Sequence, residues 1–282
     1  MEHVAELGGI VTGFHVTGQC IDCMCGKKLL KIDKTSRNIL CQKTVFGKDG
    51  LSRKLIADDD RIYIYDFCTL YVLGQKDYEL LGKWQLGNDL SSDICGMTVD
   101  DENIYCSIRN GKVITLDKQS YRQKEFTVSG SSMWSLQTYG LYLIGGTVEG
   151  ELLLLDKRTL SIEKNLVLGK KNIGSLHIDG EALYAAGHDG KLYKISIRSF
   201  EIQASVKKAH RKMFVCAGVS GDMLVTISYP CSEIAFWDKD TLEKIKVINT
   251  PLKLSGSAYI ENNFMYLSSR NIFGIDRMKL DE

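Results

Sequence analysis

The residues of this chain that could do chemistry begin with three closely spaced cysteines. Cys20, Cys23 and Cys25 form a C-x-x-C-x-C pattern, and thiolates at such spacing can bind zinc. On a β-strand, however, alternate side chains point to opposite faces, so Cys23 and Cys25 share one face and Cys20 lies on the other. No second cysteine pair follows at zinc-ribbon spacing. We therefore predict no metal site and expect these residues to pack inside a sheet.

Recognisable catalytic motifs are missing from the sequence. It contains no HExxH, GxSxG, Walker A or GxGxxG pattern, which would indicate a metalloprotease, an α/β-hydrolase or a nucleotide site. The histidines are widely separated along the chain: His3, His15, His177, His188 and His210. We predict no catalytic residue, no cofactor and no enzymatic activity.

The composition is that of an ordered globular protein. Of 282 residues, 44% are hydrophobic and 25% are charged, and the formal net charge is +1. No apolar run is long enough to span a membrane, and the N-terminal residues lack a basic segment followed by an apolar core. The nine cysteines are an odd number scattered through a long chain, which favours reduced thiols. We expect a cytoplasmic protein with no membrane partner.

A repeat of about 40 residues runs along the chain and predicts its fold. The marker residues, one in each unit, are Asp33, Gly74, Asp117, Asp156, Ser196, Asp238 and Asp276. A second position, which follows an aliphatic residue or Met, holds Tyr63, Tyr105, Tyr142, Tyr184 and Tyr266. Each unit contains short β-rich runs separated by Gly, Asn and Asp turns, with no helical segment between them. This pattern is typical of β-propeller blades.

The predicted fold is all-β, a seven-bladed β-propeller of four-stranded antiparallel blades in a single domain, residues 1–282. The predicted blades are residues 9–47, 48–87, 92–129, 131–169, 172–209, 212–250, and 253–282 with 2–8. The seventh unit has only three β-rich runs, whereas residues 2–8 form a spare one. We therefore expect the N-terminal strand to complete the last blade and close the ring, which removes exposed sheet edges.

The sixth unit resembles a blade of the WD40 family. The residues that carry this resemblance are Ala209-His210, in place of Gly-His, the WD dipeptide Trp237-Asp238, Asp222 in a tight turn and Ser228 in the second strand. The other units lack the Gly-His and the Trp, and their third strands are equally similar to those of quinoprotein-like and lactonase-like propellers. The resemblance implies that His210, Asp222, Ser228 and Trp237 form a buried structural network.

The charges of the predicted turns differ between the two ends of the blades. Connections between blades, and between second and third strands, lie at one end, and first-to-second turns lie at the other. The between-blade connections contain ten basic residues: Lys48, Arg53, Lys54, Lys170, Lys171, Lys207, Lys208, Arg211, Lys212 and Lys253. The first-to-second turns contain mostly Asp and Glu. The near-neutral total therefore hides a basic end and an acidic end.

These observations favour a non-enzymatic protein–protein interaction scaffold, a monomer or a subunit of a hetero-complex. We expect its basic end to bind an acidic or extended segment of a partner protein. The predicted binding residues are Arg53, Lys54, Arg109, Trp134, Lys171, His210, Arg211, Lys212, Phe214 and Lys253. Two alternatives remain open. One is a lyase-like or hydrolase-like propeller enzyme acting on a small molecule at the central channel. The other, less favoured because the basic run lacks interleaved aromatic residues, is an RNA-binding propeller.

Overall fold

Short antiparallel β-strands make up almost all of the regular structure. We analysed a computed structural model that describes residues 1–47, 54–229, 231–271 and 273–280, without the side chain of Leu90. One 3-10 turn, Leu90–Ser92, is the only helical element of the described residues. The first nine strands are β1 (Glu2–Glu6), β2 (Val11–Val16), β3 (Cys20–Cys25), β4 (Lys28–Asp33), β5 (Ile39–Thr44), β6 (Lys54–Ala57), β7 (Arg61–Tyr65), β8 (Thr69–Gly74) and β9 (Leu80–Gln85).

The next sixteen strands form four further sheets. The first two contain β10 (Ile94–Val99), β11 (Asn103–Ile108), β12 (Lys112–Asp117), β13 (Gln123–Thr127), β14 (Met133–Tyr139), β15 (Tyr142–Thr147), β16 (Glu151–Asp156) and β17 (Ile162–Val167). The other two contain β18 (Ile173–Asp179), β19 (Ala182–Gly187), β20 (Leu192–Ser196), β21 (Glu201–Val206), β22 (Val215–Ser220), β23 (Met223–Ser228), β24 (Glu233–Asp238) and β25 (Lys244–Asn249). The last strands are β26 (Leu254–Glu261), β27 (Phe264–Ser269) and β28 (Gly274–Lys279).

The strands form seven four-stranded antiparallel sheets, as the repeat predicts. Blades 1 to 6 each use four consecutive strands, from β2–β5 to β22–β25, and blade 7 has the order β26-β27-β28-β1. The fold is thus an all-β seven-bladed propeller. The chain divides into two compact units, which we describe separately: Met1–Asn88 with Asn249–Glu282, containing blades 7, 1 and 2, and Asp89–Ile248, containing blades 3 to 6.

Apolar strands build the core within each unit. The third strand of blade 4, Glu151–Asp156, has four consecutive buried leucines, because both of its faces are covered. The fourth strand, Ile162–Val167, is mostly exposed. Leu154 of blade 4 packs with Leu176 and Ile195 of blade 5 in one buried cluster. The core therefore lies between adjacent blades, and each blade needs a neighbour to bury its apolar face.

The turn between the third and fourth strands explains the repeated aspartate. The Asp156 carboxylate accepts hydrogen bonds from the backbone N–H groups of Arg158 and Thr159, both at 2.9 Å. The other aspartates with equivalent bonds are Asp33, Asp117 and Asp238. The marker is therefore a turn cap, since a short carboxylate can satisfy two backbone donors that the turn leaves open.

The same turn contains a residue in the left-handed region, four positions after the marker. These residues are Arg37 (φ 63°), Tyr78 (60°), Tyr121 (55°), Leu160 (54°), Phe200 (61°) and Leu242 (58°). The Leu160 N–H donates to Asp156 O at 2.8 Å, and the side chain of Leu160 is buried. Positive φ is unfavourable for residues other than glycine, and at Leu160 the burial of the side chain offsets that strain. Glycine could adopt the turn but would leave a cavity.

These carboxylates give the fold a defined response to acid. Hydrogen bonds from backbone N–H groups lower the pKa of Asp33, Asp117, Asp156 and Asp238 below the usual value. A lowered pKa in the folded state stabilises it above the unfolded pKa of roughly 4, and this stabilisation is lost as the pH falls through the folded value.

We expect replacement of all four aspartates by asparagine to flatten the loss of stability below roughly pH 4, measured as the free energy of unfolding in urea. Replacement by asparagine of the exposed Asp59, Asp101 and Asp222, whose carboxylates have no hydrogen-bond partner among the described residues, should leave the acid dependence as in the wild type. An unchanged profile in the quadruple variant would contradict the capping role.

Two positions of the sequence repeat are corrected by the structure. The Tyr142 side chain is 37% exposed, whereas Tyr63, Tyr105, Tyr184 and Tyr266 are buried. Those four are the third residues of their strands, and the third residue of β15 is Ile144. Asp276 is not a turn marker either: it lies in the middle of β28. The position equivalent to the marker is held by Lys279. The next residue, Leu280, donates its N–H to Asn263 O, and in blade 6 the residue after the marker, Lys239, donates in the same way to Asp222 O.

The N-terminal strand completes the seventh blade. β1 pairs antiparallel with β28, and the Leu7 N–H donates to Phe273 O at 2.9 Å. Val4 and Ala5 are buried in a cluster that includes Phe14 and Ile275. His3 Nδ1 lies 3.0 Å from Asp276 Oδ1, so a side-chain contact also joins β1 to β28. The pairing predicted for residues 2–8 is confirmed.

Candidate functional site

A buried network in blade 6 joins the loop before the blade to its second and third strands. The Trp237 indole N–H donates to Thr226 Oγ1 at 2.8 Å, and His210 Nε2 lies 2.7 Å from the same oxygen. His210 Nδ1 lies 2.6 Å from Glu233 Oε1, although the atoms are not aligned for a hydrogen bond. Burial lowers the pKa of His210 against the opposing effect of Glu233, which favours a neutral ring.

The network contains different partners from those expected from the WD40 resemblance. His210 and Trp237 belong to it, but Thr226 takes the place expected for Ser228, whose hydroxyl donates to Met213 O at 3.3 Å. Asp222 is exposed at the opposite end of β23. The carboxylate near the histidine is that of Glu233, at the start of β24. The arrangement holds the 209–214 loop in place and offers no exposed reactive group.

Six cationic side chains lie at the between-blade end of the unit Asp89–Ile248. We call this set the basic rim: Lys170, Lys171, Lys207, Lys208, Arg211 and Lys212. All six side chains are exposed. None of the six forms a hydrogen bond or an ion pair through its side chain with a residue that the structure describes.

Backbone contacts bring the two loops of the basic rim against one shared turn. The Ala209 N–H donates to Gly190 O at 2.9 Å, which places the loop of residues 207–212 beside the turn between β19 and β20. On the other side of that turn, the backbone N–H of His188 donates to Asn172 O at 2.8 Å. The loops after β17 and β21 therefore flank the turn at residues 187–191. The basic rim is thus a continuous surface in space, although its residues are separated in sequence.

At the acidic end of the same unit, two carboxylates already have lysine partners. Lys157 Nζ lies 2.6 Å from Asp100 Oδ2, and Lys239 Nζ lies 3.3 Å from Asp179 Oδ2. Burial alone would raise the pKa of Asp100, but the Lys157 ammonium and two backbone N–H groups outweigh it and hold the pKa below its usual value. Two of the acidic turns therefore carry an internal ion pair, whereas the cations of the basic rim carry none among the described residues.

Trp134 is exposed at the between-blade end of the unit, the end that carries the basic rim. It lies in β14 between Met133, paired with Thr147, and Ser135, paired with Gly146, so it is the extra residue of a β-bulge. Met133 and Ser135 are buried, whereas Trp134 is 40% exposed. A bulge turns one side chain away from the regular alternation, which explains the exposure of this large apolar ring.

His188 lies beside Trp134 and connects it to the basic rim. The two rings meet edge to face, with centroids 6.5 Å apart and an interplanar angle of 89°. The His188 N–H donates to Asn172 O at 2.8 Å, and Asn172 directly follows Lys171. His188 was not among the binding residues predicted from the sequence. The available signal was its place in a second-to-third turn, which shares an end with the between-blade loops.

The remaining predicted binding residues lie in varied environments. Arg109 Nη2 lies 3.1 Å from the buried Asp93 carboxylate, so this guanidinium is already tethered. The side chains of His210 and Phe214 are buried in the core of blade 6 and form no part of the surface. Lys54 and Lys253 belong to the other unit, where Lys253 is exposed and Lys54 is half-buried in β6. Arg53 lies outside the described residues.

The cysteine pattern forms part of a strand in blade 1. Cys23 is buried, and burial raises the pKa of its thiol well above the usual value. Burial also raises the pKa of Cys20 and Cys25, and Cys25 Sγ lies 3.5 Å from Leu7 O. Protonated thiols are poor nucleophiles and poor metal ligands. Among residues 1–47, 54–229, 231–271 and 273–280, no group of three or more His, Cys, Asp or Glu side chains could hold a metal ion.

The described residues contain no helix that is long and apolar enough to cross a membrane. What the fold and the surface define is a seven-bladed β-propeller with an unpaired basic rim and an adjacent exposed tryptophan.

Comparison with known proteins supports the fold and goes no further. No family model and no curated protein matches the sequence. Among solved structures, the chain is similar to Raptor from Chaetomium thermophilum, with 12% identity and a TM-score of 0.83 over 99% of this chain and 29% of that one. It is also similar to the computationally designed Ika8 protein, with 11% identity and a TM-score of 0.74 over 99% of this chain and 100% of that one. At such low identity, the likeness describes the propeller fold alone.

Proposed function

We propose that this protein is a non-enzymatic interaction scaffold whose basic rim binds an acidic, extended segment of a partner protein. The observation that carries the proposal is that the six cationic side chains of the rim have no partner among the described residues, whereas two acidic turns of the same unit carry internal ion pairs. A cluster of like charges repels itself, and an opposite charge from outside relieves that repulsion. The buried network around His210 supports the proposal, because it holds one loop of the rim in a fixed position.

The shape of the rim favours an extended segment over a compact anion. The cations are spread along two loops on either side of the turn at residues 187–191, and the flanking backbones are fixed by bonds such as Ala209 N to Gly190 O. An extended chain advances about 3.3–3.6 Å per residue and can place successive carboxylates against successive cations. The rim remains solvated, so each contact is weak and screened by salt, and affinity depends on several contacts acting together.

Charge reversal at the rim tests the proposal. In a variant carrying Lys171→Glu, Arg211→Glu and Lys212→Glu, we expect the affinity for a labelled peptide of alternating Glu and Ser to fall about tenfold or more at low salt. The reason is that three attractions become repulsions. The measurement is fluorescence anisotropy, and added salt should weaken the wild-type complex.

The matched control reverses three exposed arginines of the third-to-fourth turns in the same unit, Arg122→Glu, Arg158→Glu and Arg198→Glu. These turns lie at the other end of the blades, so this variant should bind the peptide as the wild type does. Equal losses in both variants would mean that only net charge matters and would refute the basic rim as a docking site. A single-stranded RNA of matched charge that outcompetes the peptide would replace the protein partner with a nucleic acid.

A further inference from the structure

The exposed Trp134 adds an apolar subsite to the basic rim. This subsite rests on the proposed function, because it would contact the same partner as the basic rim. In the part of the chain that the structure describes, single-residue bulges occur in the first strands of five blades, and the extra residues are Thr12, Cys95, Trp134, Gly174 and Ala217. Four of these are small. The bulge itself therefore needs no large side chain, and fold maintenance does not account for an indole at this position.

The surroundings of Trp134 form one wall of a preorganised site. At the equivalent bulge of blade 5, a Cβ on Gly174 would lie 2.3 Å from His188 Nε2. The glycine therefore makes the room in which His188 lies against the strand and meets the edge of the indole. Burial lowers the pKa of His188 against the opposing effect of Asp189, which favours a neutral ring at this wall. The exposed part of the indole then faces solvent beside a fixed neighbour.

The charges beside the indole select among the side chains that could cover it. Lys171 is next to Asn172, whose carbonyl holds His188, and Lys170 precedes it in the same loop. An aromatic face alone attracts cations as well as apolar groups. Here the nearby unpaired lysines repel a cation, so an uncharged apolar ring is favoured. Exposed tryptophans with neighbouring charged residues are common sites of strong binding energy.

We infer that the bound segment combines carboxylates for the basic rim with one large apolar side chain, such as Phe, that packs on Trp134 beside His188. The carboxylates bring the segment to the rim, and the apolar side chain fixes its register. Burial of an aromatic side chain against a partner contributes more than a solvated ion pair. The recognised motif is thus acidic and apolar together, and neither part alone gives full affinity.

Paired peptide probes and protein variants test this inference. The probes are the Glu-Ser peptide with a single central Phe and the same peptide with Ala in its place. The proteins are the wild type, Trp134→Ala and a matched control, Tyr142→Ala. Tyr142 has a similar exposure, 37% against 40%, and begins β15 at the opposite end of the same sheet. We expect Phe to raise wild-type affinity about tenfold over Ala, and Trp134→Ala to remove that gain.

Tyr142→Ala should keep the full gain, and Trp134→Phe should restore most of it. If both peptides bind the wild type equally, or if Trp134→Ala keeps the gain, the apolar subsite is refuted while the basic rim stands. If neither peptide binds the wild type, the proposed function is refuted as well. A probe with Lys in place of Phe should bind more weakly than the Ala peptide, and stronger binding would show that the indole selects cations.

Discussion

Deletion of residues 1–8 is expected to lower the free energy of unfolding by roughly 4 kcal/mol and to cause aggregation. The deletion removes the edge strand of blade 7, including the buried Val4 and the bond from Leu7 N to Phe273 O. It also removes His3, the hydrogen-bond partner of Asp276. The backbone edge of β28 becomes exposed and can then pair with another molecule. Urea unfolding and light scattering measure the two effects.

Two further measurements keep this prediction testable if the shortened protein fails to fold. Val4→Ala in the full chain should destabilise the protein measurably, whereas Glu6→Ala, an exposed position of the same strand, should have little effect. A synthetic peptide of residues 1–8 added to the shortened protein should restore its thermal stability. A shortened protein that melts like the full chain would show that β1 contributes nothing to the fold.

Thr226→Val is expected to cost about 2–4 kcal/mol in unfolding free energy, although the two side chains have nearly the same shape. The threonine hydroxyl accepts the Trp237 N–H and lies 2.7 Å from His210 Nε2. A valine would leave both buried nitrogen atoms without a partner, and unpaired buried polar groups are costly. Chemical denaturation monitored by far-UV circular dichroism measures the loss.

Ser228→Ala provides the matched control for this prediction. Ser228 is buried in the same strand two residues further on, but its hydroxyl makes a single bond, to Met213 O. Its loss should therefore cost less than that of Thr226, because it leaves one group unpaired and not two. A larger effect from Ser228→Ala would mean that Ser228, as the WD40 resemblance implies, is the central hydroxyl of the network. That result would contradict the contacts of Thr226.

The sequence predicted the blade count, the pairing of the N-terminal strand and the aspartate markers of four blades, because these depend on period and composition. Its errors in register have a common physical cause. Residues two apart on a strand share a face, so a shift of two positions preserves the apolar pattern. Tyr142 was aligned where Ile144 belongs, and Ser228 where Thr226 belongs. The alternation of side chains alone could not separate these choices.

Other errors came from the length of a strand. Asp222 directly precedes β23, whereas Glu233 begins β24 and pairs with Ser228 at the other end of β23. Six residues of strand span roughly 20 Å, so the two carboxylates lie far apart. His210 lies at the between-blade end, so only Glu233 is within reach. The burial of Phe214 and the tether of Arg109 to Asp93 depend on tertiary contacts that no local pattern reports.

The seventh unit shows the same limit. Asp276 matched the marker by residue type, yet it lies within β28 and faces His3 of β1. Burial raises the pKa of Asp276, against the opposing effect of His3, whereas backbone hydrogen bonds lower the pKa of the true turn caps. The same residue type therefore has two roles, and only the pairing with β1 distinguishes them.

The central claim is that an acidic segment binds at the basic rim, and hydrogen exchange of the backbone amides tests it most directly. On addition of the Glu-Ser peptide with a central Phe, the account predicts slower exchange at residues 170–173, 188–191 and 208–213. Exchange at residues 140–142 and 157–159, at the opposite end of the unit, should not change. Protection confined to that opposite end, or no protection while the peptide is bound, would contradict the account.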